Sequence, residues 1–210
     1  GIFSRLKTAE PRMNHTATAI EGGTGILLTG GNYYKGGWLF GLVKPKLNMT
    51  KGSEVVRGNK SERAGDLNTA RMSHAAQLVS SRSVLIAGGH DPSAIHTSME
   101  LYDAATGQWS PVGSLTEART NCEIAMDHDE ALIMGGTDGT QELASVEVWN
   151  ATGNQQTGTS YTLASARTSF TATQLRDGRV LVIGGTVGNT KSLEGLDGQP
   201  IASAEIFVRQ

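Results

Sequence analysis

Four times in this chain a short apolar run closes on a pair of glycines: ILLTGG at 26–31, VLIAGG at 84–89, ALIMGG at 131–136 and VLVIGG at 180–185. The pairs lie 58, 47 and 49 residues apart, and an arginine precedes each by 16 to 18 residues, at Arg12, Arg71, Arg119 and Arg167. Three of these arginines end matching phrases, LNTAR at 67–71, LTEAR at 115–119 and LASAR at 163–167, and LKTAEPR at 6–12 is a looser fourth copy. A fixed period of this size means one supersecondary unit used repeatedly, because a single copy cannot bury its own apolar face.

Each unit reads as a meander of short strands. After the arginine comes a strand of small residues (HTATAI, HAAQLV, CEIAM, FTATQL), then a polar turn, then the run ending in Gly-Gly. Asp177-Gly178 in the last of these turns is a strong hairpin signal, since glycine tolerates positive φ. A third strand follows a loop of variable length: SMELYD at 98–103, SVEVWN at 145–150 and SAEIFV at 203–208; in the second unit ATGQW at 105–109 turns into a fourth. Glycine supplies 27 of the 210 residues and proline only five, so the chain has many tight turns and no collagen-like period. No apolar period of 3.6 is sustained, so helix should be almost absent.

Size and charge narrow the class further. A chain of 210 residues can bury about 70% of its extended surface, enough for a core without disulfides or metal. A net charge of −2 offers no basic field for a phosphate backbone, which argues against nucleic acid. The apolar runs are far too short for a membrane-spanning helix. The single cysteine, Cys122, cannot form an internal bridge or a Cys-rich zinc module.

Four strands per unit of about 50 residues, with Gly-Gly and a later aromatic pair, resemble the kelch motif. The best copy, 84–109, carries Gly88, Gly89, Glu100, Tyr102, Gly107 and Trp109 in the family's order. The phrase ARTSFTATQLRDGRVLVIGG at 166–185 is closest in tone to bacterial kelch-repeat proteins with galactose-oxidase-like propellers. The resemblance implies an all-β fold, a kelch-type β-propeller with about four blades of four-stranded antiparallel sheet. One domain would cover 1–210, with repeats at 12–66, 71–115, 119–163 and 167–210 and the strand 2–6 completing the last blade. Closure at four blades and a place within a larger propeller both fit this pattern. The first repeat departs from the motif, because 33–66 shows no clear Ser-x-Glu-x-Tyr strand, and Trp149 takes the place of Tyr102.

Repetition also sorts candidate site residues. A feature present in every blade serves packing, whereas a feature confined to one blade can serve a ligand. Arg12, Arg71, Arg119 and Arg167 could clamp an anion at the channel mouth. Ser-x-Glu recurs in step with them, however, and a buried arginine needs a carboxylate, so a scaffold role with Glu54 or Glu100, Glu147 and Glu205 is the expected one. Three residues after each arginine stand His15, His74, Cys122 and Phe170; phenylalanine ligates nothing, so core filling is expected there. The loops after Gly-Gly hold the single-blade features. Tyr33, Tyr34, Trp38 and Phe40 put four aromatics into eight residues, suited to stacking on a sugar or anchoring a protein. His90, Asp91 and His96 share the second loop, and Asp138 lies in the third.

No Gly-x-Ser-x-Gly, His-Glu-x-x-His or phosphate loop is present, and the copper ligands of galactose oxidases have no matching set here. The expected function is a recognition module that grips a protein or glycan with its loop face, without cofactor or metal. Its rival is a sugar-processing enzyme, mutarotase-like or oxidase-like, with a pocket at the channel mouth. Self-association is expected if the ring is incomplete. A chain rich in Ser, Thr and Gly resembles exported bacterial kelch proteins, which points to an extracytoplasmic or secreted location.

Overall fold

Side chains on successive strand residues point to opposite faces of a sheet, and in this chain both faces are apolar where blades stack. The structure is a computed structural model and describes residues 5–35, 46–188 and 198–209. Four antiparallel sheets are arranged as the blades of a β-propeller. The first is built from β1 (Thr16–Ile20) and β2 (Gly25–Thr29), then, beyond a two-stranded ribbon of β3 (Asn32–Lys35) and β4 (Lys46–Met49), from β5 (Ser53–Arg57) and β6 (Lys60–Ala64). The second runs through β7 (Ala75–Leu78), β8 (Ser83–Ala87), β9 (Ser98–Asp103) and β10 (Gln108–Ser114). The third runs through β11 (Glu123–Asp127), β12 (Glu130–Met134), β13 (Ser145–Asn150) and β14 (Gln155–Thr162). The fourth has β15 (Thr171–Gln174) and β16 (Val180–Ile183), a short ribbon of β17 (Thr186–Val187) and β18 (Gln199–Pro200), and then β19 (Ala204–Phe207).

Among the described residues, helix is confined to one three-residue 3₁₀ turn, Glu21–Gly23, and no helix is long and apolar enough to cross a membrane. The fourth strand expected for the last blade from residues 2–6 falls mostly outside the described residues, and Arg5 and Leu6 carry no strand. The outer strands missing from the sequence reading of the first repeat are β5 and β6. Glu54 on β5 is the repeat glutamate, with Gly52-Ser53 in place of the leading Ser-x.

The strand ending in Gly-Gly divides its side chains between two neighbours. Val84 and Ile86 of β8 join Leu27, Val55 and Leu67 in a core against the first blade. Leu85 and Ala87 turn the other way, packing with Ile124, Ala131 and Ile133 of the third. Leu132 and Met134 of β12 then meet Val180 and Val182 of β16. Four blades thus share three interblade cores. The remaining face of the fourth blade is uncovered among the described residues, with Ile183, Ile206 and Val208 48 to 56% exposed.

Gly-Gly is needed because neighbouring backbone crosses it. Both glycines of each pair have positive φ, 61° to 69° or 54° at the first and 84° to 94° at the second. A Cβ on Gly88 would lie 2.2 Å from the Arg119 carbonyl oxygen of the next blade. The N–H groups of Gly31, Gly89 and Gly136 donate to the carbonyls of Arg71, Arg119 and Arg167 at 2.8–2.9 Å, so each pair is the seam on which the following blade rests.

Candidate functional site

The four arginines are buried inside the blades, their side chains 0 to 3% exposed. Arg12 pairs with Glu54 at 3.0 Å, Arg71 with Glu100 at 2.9 Å, Arg119 with Glu147 at 2.8 Å and Arg167 with Glu205 at 2.5 Å. Each partner is in the arginine's own blade, so Arg71 takes Glu100 and not Glu54. The other guanidinium nitrogen donates to the carbonyl of the first repeat glycine: Gly30, Gly88, Gly135 and Gly184. Each glutamate in turn accepts from the two backbone N–H groups two and three residues before the arginine, such as Asn68 and Thr69 on Glu100. Burial works against charge on Glu54 and Glu147, yet hydrogen bonds led by Ser61 and by the Thr116 amide hold both carboxyls below the usual range. The arginine clamp expected as one alternative at the channel mouth is therefore replaced by a knot that ties the connecting segment to the blade.

Loops after Gly-Gly leave on the same side as the segments carrying the arginines, since Met13, Met72, Thr120 and Thr168 bridge to Asn32, His90, Thr137 and Thr186. His90 is buried there with Nδ1 2.9 Å from Thr120 Oγ1. Asp91 accepts from Ser93 and Ala94, closing its own turn, and those bonds hold its carboxyl below the ordinary range. Asp138 does the same with Thr140 and Gln141, whose bonds outweigh the effect of burial. His96 Nε2 is 3.3 Å from Asp91 without hydrogen-bond alignment, and burial and then Arg71 lower its pKa. Asp91 and Asp138 both stand two residues after a Gly-Gly pair, a recurrence in the sequence that marks them as turn residues. Among the described residues no three of His, Cys, Asp and Glu are grouped where they could hold a metal ion.

The aromatic segment behaves differently. Tyr33 and Tyr34 lie on β3, which pairs with β4 as a ribbon, Tyr33 opposite Asn48 and Tyr34 opposite Leu47. Tyr33 is half-buried, while Tyr34 is 57% exposed. Met13, exposed as well, is bridged to Asn32 at the base of the ribbon. Trp38 and Phe40 lie outside the described residues.

The inner rim carries a feature that the sequence did not reveal. Two residues beyond each arginine stand Asn14, Ser73, Asn121 and Ser169, all left-handed with φ of 52° to 54°. Ser73 N–H donates to Asn14, Asn121 to Ser73 and Ser169 to Asn121, at 3.0 to 3.2 Å. Next to this rim His74 is buried with Nε2 2.9 Å from Thr16 Oγ1, and burial drives its pKa down to about 3. Burial pushes the Cys122 thiol up to about 11, which makes it inert at neutral pH, and pushes Glu123 up to about 7.

Stacked four-stranded meanders, seams on Gly-Gly and a repeated Arg–Glu knot define a kelch-repeat β-propeller. In agreement, residues 73–116 match the Kelch motif. Over 55 residues the chain is 36% identical to Spermatocyte protein spe-26 of Caenorhabditis elegans. That match spans 26% of this chain and 10% of the relative.

Proposed function

We propose that this chain is a protein-recognition module whose contact surface is the loop side of the propeller, centred on the β3–β4 ribbon of the first blade. The observation that carries this reading is Tyr34, a large amphipathic ring held 57% exposed on a paired strand instead of folding into the blade. Tyrosine on a rigid strand supplies contact area at low entropic cost, which is why it anchors interfaces. Asp91 and Asp138 close tight local turns in the loops of the second and third blades, which are thereby compact where the first blade carries a paired ribbon. A sugar-processing enzyme would need polar groups at the channel mouth, and the four arginines suited to that task are spent inside the blades.

The test is a screen of protein partners and of a glycan array with the wild-type chain and with Tyr34→Ala. Retention of a protein partner by the wild type, with at least about a tenfold loss in the variant, is expected for an anchor residue. Equal binding by both removes the ribbon as the site, and selective capture of a glycan moves the reading to carbohydrate recognition.

A further inference from the structure

A cleft of about 360 Å³ opens between the outer strands of the first and second blades. Its first wall is the β5–β6 hairpin. Ser53 pairs beside Thr29 at the Gly-Gly end of the blade, so Arg57 and Glu62 lie toward the other end of the strands, away from the loop side. Val55 stands opposite Glu62 and packs on the second blade, and alternate strand residues share a face, so Arg57 and Glu62 face that blade too. The second wall is Tyr102 and the turn at 104–108. The two walls are tied together. Gly65 N–H donates to the Gly107 carbonyl at 2.7 Å, and Trp109 Nε1 donates to Ser53 Oγ at 3.0 Å. Gly107 is left-handed with a φ of 69°, and a Cβ on Gly65 would lie 2.7 Å from the Gly107 carbonyl oxygen, so bare backbone lines the cleft there.

Three polar groups in this cleft have hydrogen-bonding capacity to spare. Tyr102 is 2% exposed, its ring packed 5.2 Å from that of Trp109, and its hydroxyl lies at the cleft, where a Cβ on Gly107 would be 3.9 Å from it. That hydroxyl has no hydrogen-bond partner among the described residues, although polar groups on residues so deeply buried are ordinarily satisfied. Arg57 gives Nε and Nη2 to Glu21, which leaves Nη1 unengaged among the described residues. Glu62 accepts no hydrogen bond from a described residue and sits near enough to act on the Arg57 charge. The other charges nearby are occupied. Arg63, opposite Glu54, turns away to Asp66 at 3.2 Å, and Asp103 accepts from the Ala105 N–H of its own turn. Neither Arg57 nor Tyr102 belongs to the repeat. Arg57 stands where the other blades have Asp103, Asn150 and Val208, and Tyr102 where they have Val56, Trp149 and Phe207.

We propose that this cleft binds a zwitterion of amino-acid size, with its carboxylate on Arg57 Nη1 and the Tyr102 hydroxyl and its ammonium on Glu62. Charge selects the class. The Arg57 guanidinium is already balanced by Glu21 on one side, and Glu62 offers a carboxylate on the same wall, so the cleft holds no surplus of one sign. A simple anion gains at Arg57 and loses at Glu62, and a simple cation does the reverse. A molecule carrying both charges is held at both ends by charge-assisted hydrogen bonds. The volume suits a small ligand, and the bare backbone at Gly65 and Gly107 lets it approach closely. This cleft is separate from the Tyr34 ribbon, and failure of either reading leaves the other standing.

The experiment is titration calorimetry of the 210-residue chain with each of the standard free amino acids, with sodium acetate and glucose as controls. For any amino acid that binds, its N-acetyl and carboxamide derivatives follow. Saturable binding of at least one amino acid is expected, with a Kd of about 1 mM or tighter. Each derivative lacks one charge and should bind at least about tenfold more weakly. Tyr102→Phe keeps the ring and removes only the hydroxyl, and should weaken the parent ligand by about tenfold. Glu62→Gln should weaken the parent and leave the N-acetyl derivative unchanged. Far-UV circular dichroism follows the fold of each variant. If Tyr102→Phe loses its β spectrum, Glu62→Gln, on an exposed side chain, carries the test alone. A wild type that binds no amino acid overturns the proposal. So do derivatives that bind as tightly as the parent, variants that bind like the wild type, or binding of acetate or glucose in its place.

Discussion

Glu147 and Glu205 hold equivalent arginines in unequal surroundings. The Glu147 side chain is 7% exposed on the third blade, and that of Glu205 is 19% exposed on the last one. Removing one partner of a buried pair strands the other charge, so Glu147→Ala should cost about 3–5 kcal/mol in urea unfolding, and Glu205→Ala distinctly less. Glu123 sets a pH dependence of the opposite kind. Its pKa is higher folded, about 7, than unfolded, so the folded state takes up a proton that the unfolded state releases. Stability from this group is full below its ordinary pKa and is lost as pH rises through 7. Glu123→Gln should flatten that loss and raise stability at pH 8 by on the order of 1–3 kcal/mol. His74, depressed to about 3, contributes stability that is present above its ordinary pKa and declines as pH falls from there toward 3. Chemical denaturation curves across pH 3 to 8 would show both slopes. The Arg–Glu pairing was legible because both residues recur in step. The burial of Glu123 was not, since its counterparts Thr16, Ala75 and Thr171 share no chemistry that flags the position.

At the scale of the element, the glycine pairs allow a comparison within one molecule. Alanine at Gly88 must adopt a φ of 67° and also collide with the Arg119 carbonyl, whereas alanine at Gly184 meets the φ of 69° alone. Gly88→Ala should cost about 2–5 kcal/mol and Gly184→Ala about 1–2 kcal/mol, read from thermal unfolding. The meander, the Gly-Gly strand ends and the third strands of the later repeats were all readable, because turn chemistry and alternation mark them locally. The outer strands of the first repeat were hidden by the ribbon. Glu54 follows Gly30 by 24 residues, where Glu100 and Glu147 follow their glycines by 12, and β3–β4 fills the difference. The aromatics of the first loop were legible as a cluster, but only pairing with β4 tells that Tyr34 projects while Tyr33 is partly covered.

For the molecule as a whole, contacts run between neighbouring blades through three successive cores, so stability is close to a sum of blade and seam terms. Among the described residues, the two inner blades are each sealed on both faces, and the outer two on one. Amide hydrogen exchange should therefore be slowest in β8, β9, β12 and β13 and fastest in β1, β15 and β19, with protection differing by at least about tenfold. Uniform protection across the four blades would contradict this picture. The number of blades was readable from the repeat, but how the ends meet was not, because any whole number of repeats leaves matching ends. The inner rim carries its own consequence. All its bonds point one way, each N–H reaching back to the carbonyl of the blade before, so the peptide dipoles add along the curve as they do along a helix axis. In a full circle that moment would vanish. Along the four described blades it leaves a partial positive charge toward Asn14 and a partial negative charge toward Ser169, so the two sides of the channel rim differ in the sign of ligand group they favour.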